Sequence, residues 1–329
     1  MSCKYNFCSC IIGLFLIMGP LPRATAATGE QPITIEQLTD TIEQMESAIA
    51  DISLEYEWLT DSTMTLGEKF EFIADKNWSI IVGPRTCKMV CSLALPDPND
   101  PDAPLFDRFL FEKSDISMRD PNKPVHNLIK RCFNGQIRKD LYIGGSPHTV
   151  RDGRISKPDG VPHSWIPNPV EYFSILRCRA IEKMPLSEAL RKVIVPVRIN
   201  HALKKVGDFN TIGAEFIDES TNNPFKQVCF SVDHDFTPVK FEDLNVYTGE
   251  PTFTVKITSL QEVAPGLWFP KSGLIKDHRD PHKWANLYQA TGPIIVNQGL
   301  TNEDFDIDFP VGTKVSDKIQ GREYVVKQK

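Results

Sequence analysis

The chain has 329 residues, of which 41% are hydrophobic and 24% charged, and its formal net charge is −6 at pH 7. This composition is typical of a folded protein with a sizeable core and excludes a disordered tail. Because binding to a phosphate backbone needs clustered Lys and Arg, the acidic balance and the lack of a basic run argue against a nucleic-acid partner.

The first 26 residues have the three parts of a cleavable signal peptide. Lys4 supplies positive charge, residues 11–18 form an apolar run too short for a membrane anchor, and residues 24–26 give a small-x-small cleavage site. We therefore predict cleavage near Ala26 and a periplasmic or secreted protein that is soluble after cleavage. The working protein would be a single domain over residues 27–329.

An odd number of cysteines remains after the signal peptide: Cys87, Cys91, Cys132, Cys178 and Cys229. One or two disulfides are possible in an oxidising compartment, and the pairing stays open, with at least one thiol left over. No second cysteine pair completes a zinc site with the first two, so we predict no metal site and no cofactor.

The mature chain opens with an amphipathic helix. Thr34 and Gln37 form a capping-box pattern, after which apolar residues recur every three or four positions as far as Ile52. We predict a helix of about five turns that covers a sheet. Its opposite, solvated face carries the acidic residues Glu36, Asp40, Glu43 and Glu46.

After this helix the hydrophobic period changes from 3.6 to 2, which indicates half-buried strands. Short runs of this kind separated by polar or Gly/Pro turns predict an antiparallel meander, not a βαβ fold. The predicted strands lie in residues 54–58, 70–72, 78–82, 89–95, 193–197, 212–216, 228–232, 239–241, 253–257, 267–269 and 294–296.

Two stretches interrupt the meander. Residues 96–104 are rich in Pro and Asp, and residues 144–169 contain five prolines, so the range of about 96–170 is predicted to be a loop-rich insertion. Three short helices are predicted between the strands, over residues 121–131, 169–181 and 185–193.

The C-terminal half carries the most specific sequence. Residues 262–270 read E-V-A-P-G-L-W-F-P, a strand-turn-strand pattern that reverses at Pro265 and Gly266. Residues 305–317 read F-D-I-D-F-P-V-G-T-K-V-S-D. Together with the signal peptide, the N-terminal helix and the strand series, this resembles the periplasmic lipoprotein-carrier superfamily, the LolA/LolB-like outer membrane lipoprotein-sorting proteins. The spacing between the second aromatic residue and Pro310 is shorter here than in the family pattern.

The resemblance implies an α+β fold, in which a strongly curved antiparallel sheet forms an incomplete β-barrel covered by the N-terminal helix and short inserted helices. It also implies a ligand: a lipid or a lipoprotein acyl chain held in the concave face, with a membrane-associated protein as a possible partner. The aromatic residues of the strands must either be buried in the core or line a groove in this concave face, so they are the candidate ligand-binding residues. They are Phe70, Phe72, Trp78, Phe230, Phe253, Trp268 and Phe269.

Two other functions stay open. In one, the same fold has a filled core and acts as a structural or protein-interaction module. In the other, a hydrolase uses His234, which is flanked by Asp233 and Asp235, or His278. No motif supports catalysis: Pro281 separates His278 from His282, and no nucleophile elbow is present. We therefore expect a protein without enzymatic activity.

Overall fold

The computed structural model describes residues 32–61, 69, 80–93, 106–118, 122–144, 150–157, 168–172, 185–191, 195–279 and 285–328. Residues 1–26, predicted as a signal peptide, and the residues Phe70, Phe72, Trp78, Cys178 and His282 lie outside the described residues.

Helix α1 spans Ile35–Ala48 and begins with the predicted capping box. The Thr34 hydroxyl accepts a hydrogen bond from the Gln37 amide, and the Gln37 side chain accepts one from the Thr34 amide. The helix is shorter than predicted, because Ile52 already lies in the first strand, paired with Cys91. No helix of the described residues is long and apolar enough to cross a membrane.

Most of the described chain forms strands of one sheet. Their bounds are β1 Asp51–Asp61, β2 Ile80–Leu93, β3 Phe106–Met118, β4 Pro124–Phe133, β5 Arg138–Gly144, β6 Val150–Ser156, β7 Val197–Val206, β8 Phe209–Asp218, β9 Asn223–Ser231, β10 Thr237–Leu244, β11 Pro251–Ala264, β12 Leu267–Asp277, β13 Ala285–Ala290, β14 Ile295–Val296, β15 Lys314–Asp317 and β16 Arg322–Val325. Two further helices are α2 Pro169–Tyr172 and α3 Leu186–Arg191, and the 3-10 turns are Val232–His234 and Asn302–Phe305.

The strands follow the order β16-β15-β6-β5-β4-β3-β2-β1-β13-β12-β11-β10-β9-β8-β7, and β14 pairs with β1. All neighbours are antiparallel except β15 and β6, which are parallel. Within the described residues β7 and β16 do not pair, so the sheet is open. The predicted fold class, an incomplete antiparallel barrel with an N-terminal helix, is confirmed.

The turn between β11 and β12 is the predicted reversal. Pro265 and Gly266 connect the two strands, and Gly266 has φ +72°, a left-handed conformation that glycine adopts without a steric penalty. The Glu262 carboxylate accepts a hydrogen bond from the Gly266 amide at 2.9 Å. The strand-turn-strand prediction from residues 262–270 is therefore confirmed.

The C-terminal segment 305–317 covers one face of strands β3–β6. Ile307 is buried with Cys132 and Leu141, and Phe309 packs against this small cluster. A Cβ atom on Gly153 would lie 2.8 Å from the Phe309 ring, so only glycine allows this close approach. Only Lys314–Asp317 of this segment is a strand.

Two further predictions of secondary structure are wrong. Residues 121–131, predicted as a helix, contain most of strand β4, and β7 begins at Val197 instead of in residues 193–196. The range 96–170 contains strands β3–β6, which continue the sheet in order. That this range is an insertion stays a prediction. Helix α3 confirms the helix predicted near residue 186, and α2 forms the start of the one predicted from residue 169.

The core lies between the helices and one face of the sheet. Leu38, Ile42 and Met45 of α1 are buried in one cluster with Leu186 and Leu190 of α3. Rings from both halves of the sheet join this cluster, which extends along the strand order from β3 to β7. Burial of such side chains stabilises the fold by about 1.5–3 kcal/mol for each large apolar residue.

Candidate functional site

A groove of about 430 Å³ opens where α1, α3 and the start of β7 meet. We call it the helix groove. Its apolar lining consists of Ile35, Leu190, Val195, Pro196 and Val197, and its polar lining consists of Glu36, Thr39, Asp40 and Arg191. A groove of this size with apolar walls and charges among its lining residues is suited to an apolar ligand.

Helix α3 is held against α1 by a buried carboxylate. Glu46 is only 6% exposed. It accepts hydrogen bonds from the Ser187 amide at 3.2 Å and from the Ser187 hydroxyl. The expectation that Glu46 lies on a solvated face of α1 is wrong, because α3 covers it.

A second contact between the two helices is exposed to solvent. The Arg191 guanidinium donates to the Glu43 carboxylate at 2.5 Å and lies 3.7 Å from the Asp40 carboxylate. The hydrogen bond from Arg191 lowers the pKa of Glu43, and the same bond raises the pKa of Arg191. Because Asp40 and Arg191 both line the helix groove, the groove lies directly beside this ion pair.

The predicted ring residues that the structure describes lie in or beside the core and do not line the helix groove. Phe230 and Phe269 are buried, at 0% and 2% exposure, and belong to the main core cluster. Phe253 is partly buried and packs against that cluster. Trp268 is half-buried at the start of β12, where its indole donates to Asp235 at 3.3 Å. A ligand-binding role for these residues stays a prediction.

His234 lies among side chains that stabilise a turn. Its Nδ1 is 2.8 Å from the Ser231 hydroxyl, and its ring meets the Trp268 ring edge-on at 4.6 Å. Ser231 is fully buried, so its hydroxyl is not accessible to a substrate as a nucleophile. Burial lowers the pKa of His234. These contacts stabilise the turn between β9 and β10.

The four described cysteines, Cys87, Cys91, Cys132 and Cys229, are buried and not joined by disulfides. Burial raises the pKa of Cys87 to about 12 and the pKa values of Cys132 and Cys229 to about 11. Among the described residues, no group of three or more metal-binding side chains comes together.

The helix groove was not predicted from the sequence. The helical spacing places Ile35 and Thr39 one turn apart on α1, but it does not show that Leu190 and Val197 lie opposite them. Two sequence predictions concerned the elements that form the groove: the helix near residue 186 and the strand that ends at residue 197. Their contact depends on the path of the chain between distant elements.

No family model matches the chain, and no curated protein matches it. Solved structures do. A DUF1329 family protein from Desulfovibrio piger is 9% identical over 83% of this chain and 95% of its own, with a TM-score of 0.40. A putative outer membrane lipoprotein-sorting protein domain from Vibrio parahaemolyticus is 10% identical over 82% and 95%, with a TM-score of 0.38.

A LolA superfamily protein from Nitrosomonas europaea is 8% identical over 84% of this chain and 100% of its own, with a TM-score of 0.34. All three of these solved structures are similar to the chain at 8–10% sequence identity.

Proposed function

We propose that this protein binds a hydrophobic ligand, a lipid or an acyl chain, in the helix groove and does so without catalysis. The observation that carries the proposal is the groove itself, which is open to solvent and walled by Ile35, Leu190, Val195 and Val197. The hydrophobic effect supplies the affinity, and no positioned reactive group is needed.

The expected affinity follows from the burial of methylene groups. Each methylene moved from water into an apolar environment contributes about 0.8 kcal/mol. Roughly ten buried methylenes would give about 8 kcal/mol before the loss of translational and rotational freedom is subtracted. A ligand of this length would bind with moderate affinity and could be released again, as a carrier requires.

We further propose export by the N-terminal signal and a periplasmic or secreted location, where a membrane-associated protein would deliver or receive the ligand. The signal pattern of residues 1–26 and the resemblance of residues 305–317 support this part of the proposal. Nucleic acid is not proposed as a partner, since the chain is acidic.

The alternative is a structural or protein-interaction module with a filled core. Two of the aromatic residues predicted to bind a ligand favour this alternative, because Phe230 and Phe269 are packed inside the core cluster. In that case the helix groove would bind no apolar molecule, and protein from the native compartment would carry no lipid.

The test compares two tryptophan substitutions on the same strand. Val197→Trp places an indole in the groove, whereas Leu203→Trp adds the same ring at a position that is 67% exposed and outside the groove. Binding of the uncharged dye N-phenyl-1-naphthylamine is measured by fluorescence titration. Lipid that co-purifies is identified by native mass spectrometry.

We expect the wild type and Leu203→Trp to bind the dye and to carry lipid, and Val197→Trp to lose most of both. Thermal unfolding of each variant is measured as a control, to check that the fold is retained. If no lipid co-purifies and the wild type does not bind the dye, the proposal is wrong and the filled-core alternative stands.

A further inference from the structure

The strands at one end of the sheet are basic, although the chain as a whole carries a net charge of −6. Strands β6, β15 and β16 lie together at the end of the strand order opposite to β7. We call residues 150–157 and 311–328, which contain these three strands, the basic edge. It has seven basic side chains and three acidic ones. The surplus of positive charge is therefore local to this part of the sheet.

Strand pairing brings the basic edge together from segments that are far apart in the chain. Lys314 of β15 pairs with Asp152 of the parallel strand β6 and with Val325 of the antiparallel strand β16. The Arg151 guanidinium donates to the Val311 carbonyl at 2.8 Å. Three neighbouring strands span about 10 Å and four residues of a strand about 13 Å, so the charges share one small patch of surface.

The ion pairs within the basic edge are weak. The Lys314 ammonium lies 3.6 Å from the Glu323 carboxylate, and the Arg322 guanidinium lies 3.9 Å from the Asp317 carboxylate. Both distances exceed that of a hydrogen bond. Asp317 accepts hydrogen bonds instead from two backbone amides of the turn that follows it, both at 3.0 Å. These two cations are therefore only partly neutralised.

Two further lysines of the basic edge, Lys318 and Lys327, are exposed. Within the part of the chain that the structure describes, neither forms an ion pair. The bond of Arg151 to a neutral carbonyl oxygen likewise leaves its charge without a carboxylate contact. Such cations remain available to an anionic partner.

The basic edge also exposes apolar side chains. Val311 and Val325 are each 53% exposed, and Ile319 is 41% exposed. These are three of the eight large hydrophobic side chains that are exposed among the described residues. Tyr324 adds a partly buried ring, over which the Arg322 guanidinium lies at 5.2 Å from the ring centroid. Cations and apolar groups are thus mixed on one surface.

A surface of this kind is suited to a membrane that contains anionic lipid, because cations are attracted to the head groups while apolar side chains enter the interface. An acidic polypeptide would match the cations but not the exposed apolar side chains. We propose that the basic edge docks the protein on the surface of a membrane containing anionic phospholipid. The basic edge shares no residue with the helix groove, so the two proposals can fail separately.

The test is co-flotation with vesicles of phosphatidylcholine alone or of an equal mixture of phosphatidylglycerol and phosphatidylcholine. One triple variant removes three cations of the basic edge: Lys314→Gln, Lys318→Gln and Lys327→Gln. The matched control removes three exposed lysines of β7 and β12, with the same change in net charge. Its substitutions are Lys204→Gln, Lys205→Gln and Lys271→Gln. All samples share one N terminus, and thermal unfolding of each is measured as a check on the fold.

We expect the wild type to bind the mixed vesicles and not those of phosphatidylcholine alone. A lysine near an anionic surface contributes about fivefold to binding, so the basic-edge triple variant should lose about a hundredfold. The control triple variant should bind like the wild type. Raising NaCl from about 0.05 M to about 0.5 M should weaken wild-type binding, because salt screens the attraction. Val325→Ser should weaken it about threefold, and the equally exposed position in Leu203→Ser should have no effect.

Equal binding of the wild type to both kinds of vesicle, or an equal loss in the two triple variants, overturns the proposal. Soluble poly-L-glutamate distinguishes the other class of partner. If the wild type binds it as tightly as the mixed vesicles and Val325→Ser binds the vesicles like the wild type, the basic edge recognises an acidic polypeptide and the membrane proposal is wrong.

Discussion

Replacement of Glu46 by alanine tests how the helix groove is built. Glu46 is the buried acceptor of two hydrogen bonds from Ser187 at the start of α3. A hydrogen bond to a charged group contributes about 1.5–3 kcal/mol, and the Ser187 amide would be left without its acceptor. Because the two bonds are not additive and alanine removes a buried charge, we expect a loss of about 3 kcal/mol in the free energy of unfolding.

The measurement is equilibrium unfolding in urea, followed by circular dichroism. Glu46→Gln should lose only about 1 kcal/mol, since its amide can accept from the Ser187 amide and donate to the hydroxyl. Glu43→Ala is the matched control one turn earlier, also bonded to α3 but exposed, and it should have a much smaller effect. Equal losses for Glu46→Ala and Glu43→Ala would refute the view that burial makes Glu46 the main contact between the helices.

Two further predictions follow from titratable groups whose pKa is shifted by full or partial burial. At pH 8, iodoacetamide should alkylate Cys87, Cys132 and Cys229 far more slowly in the native protein than in urea, because burial raises their pKa values to about 12, 11 and 11. Peptide mass spectrometry measures this, and equal rates would contradict it. His234 has a pKa lowered below 6.5, so the unfolded chain binds more protons in acid. Its contribution to stability should be present above about pH 6.5 and lost below it. His234→Gln should therefore lose less stability than the wild type between pH 7.5 and pH 5.

Local sequence patterns predicted the elements whose stabilising contacts are close in the chain. The capping box at Thr34 and Gln37 is satisfied within one turn, so it marked the start of α1 correctly. The turn at Pro265 and Gly266 was likewise predictable, because the backbone conformation of Gly266 depends on that residue itself.

Strand β4 was missed because apolar residues lie on both of its faces. Ile129 points to the same face as Lys113, and Cys132 points to the other face, where Ile307 covers it. Since the covering residue is far away in the sequence, the alternation of polar and apolar residues is lost, and the apolar spacing of Val125, Leu128 and Ile129 favoured a helix.

The sequence by itself determined the antiparallel strand series and the apolar stripe of α1, because hydrophobic period and capping are local properties. Only the tertiary structure decided the helix groove. Leu190 reaches α1 through the bonds of Ser187 to Glu46. The groove depends on which distant side chains meet, and this is set by the path of the chain between the helices and the strands.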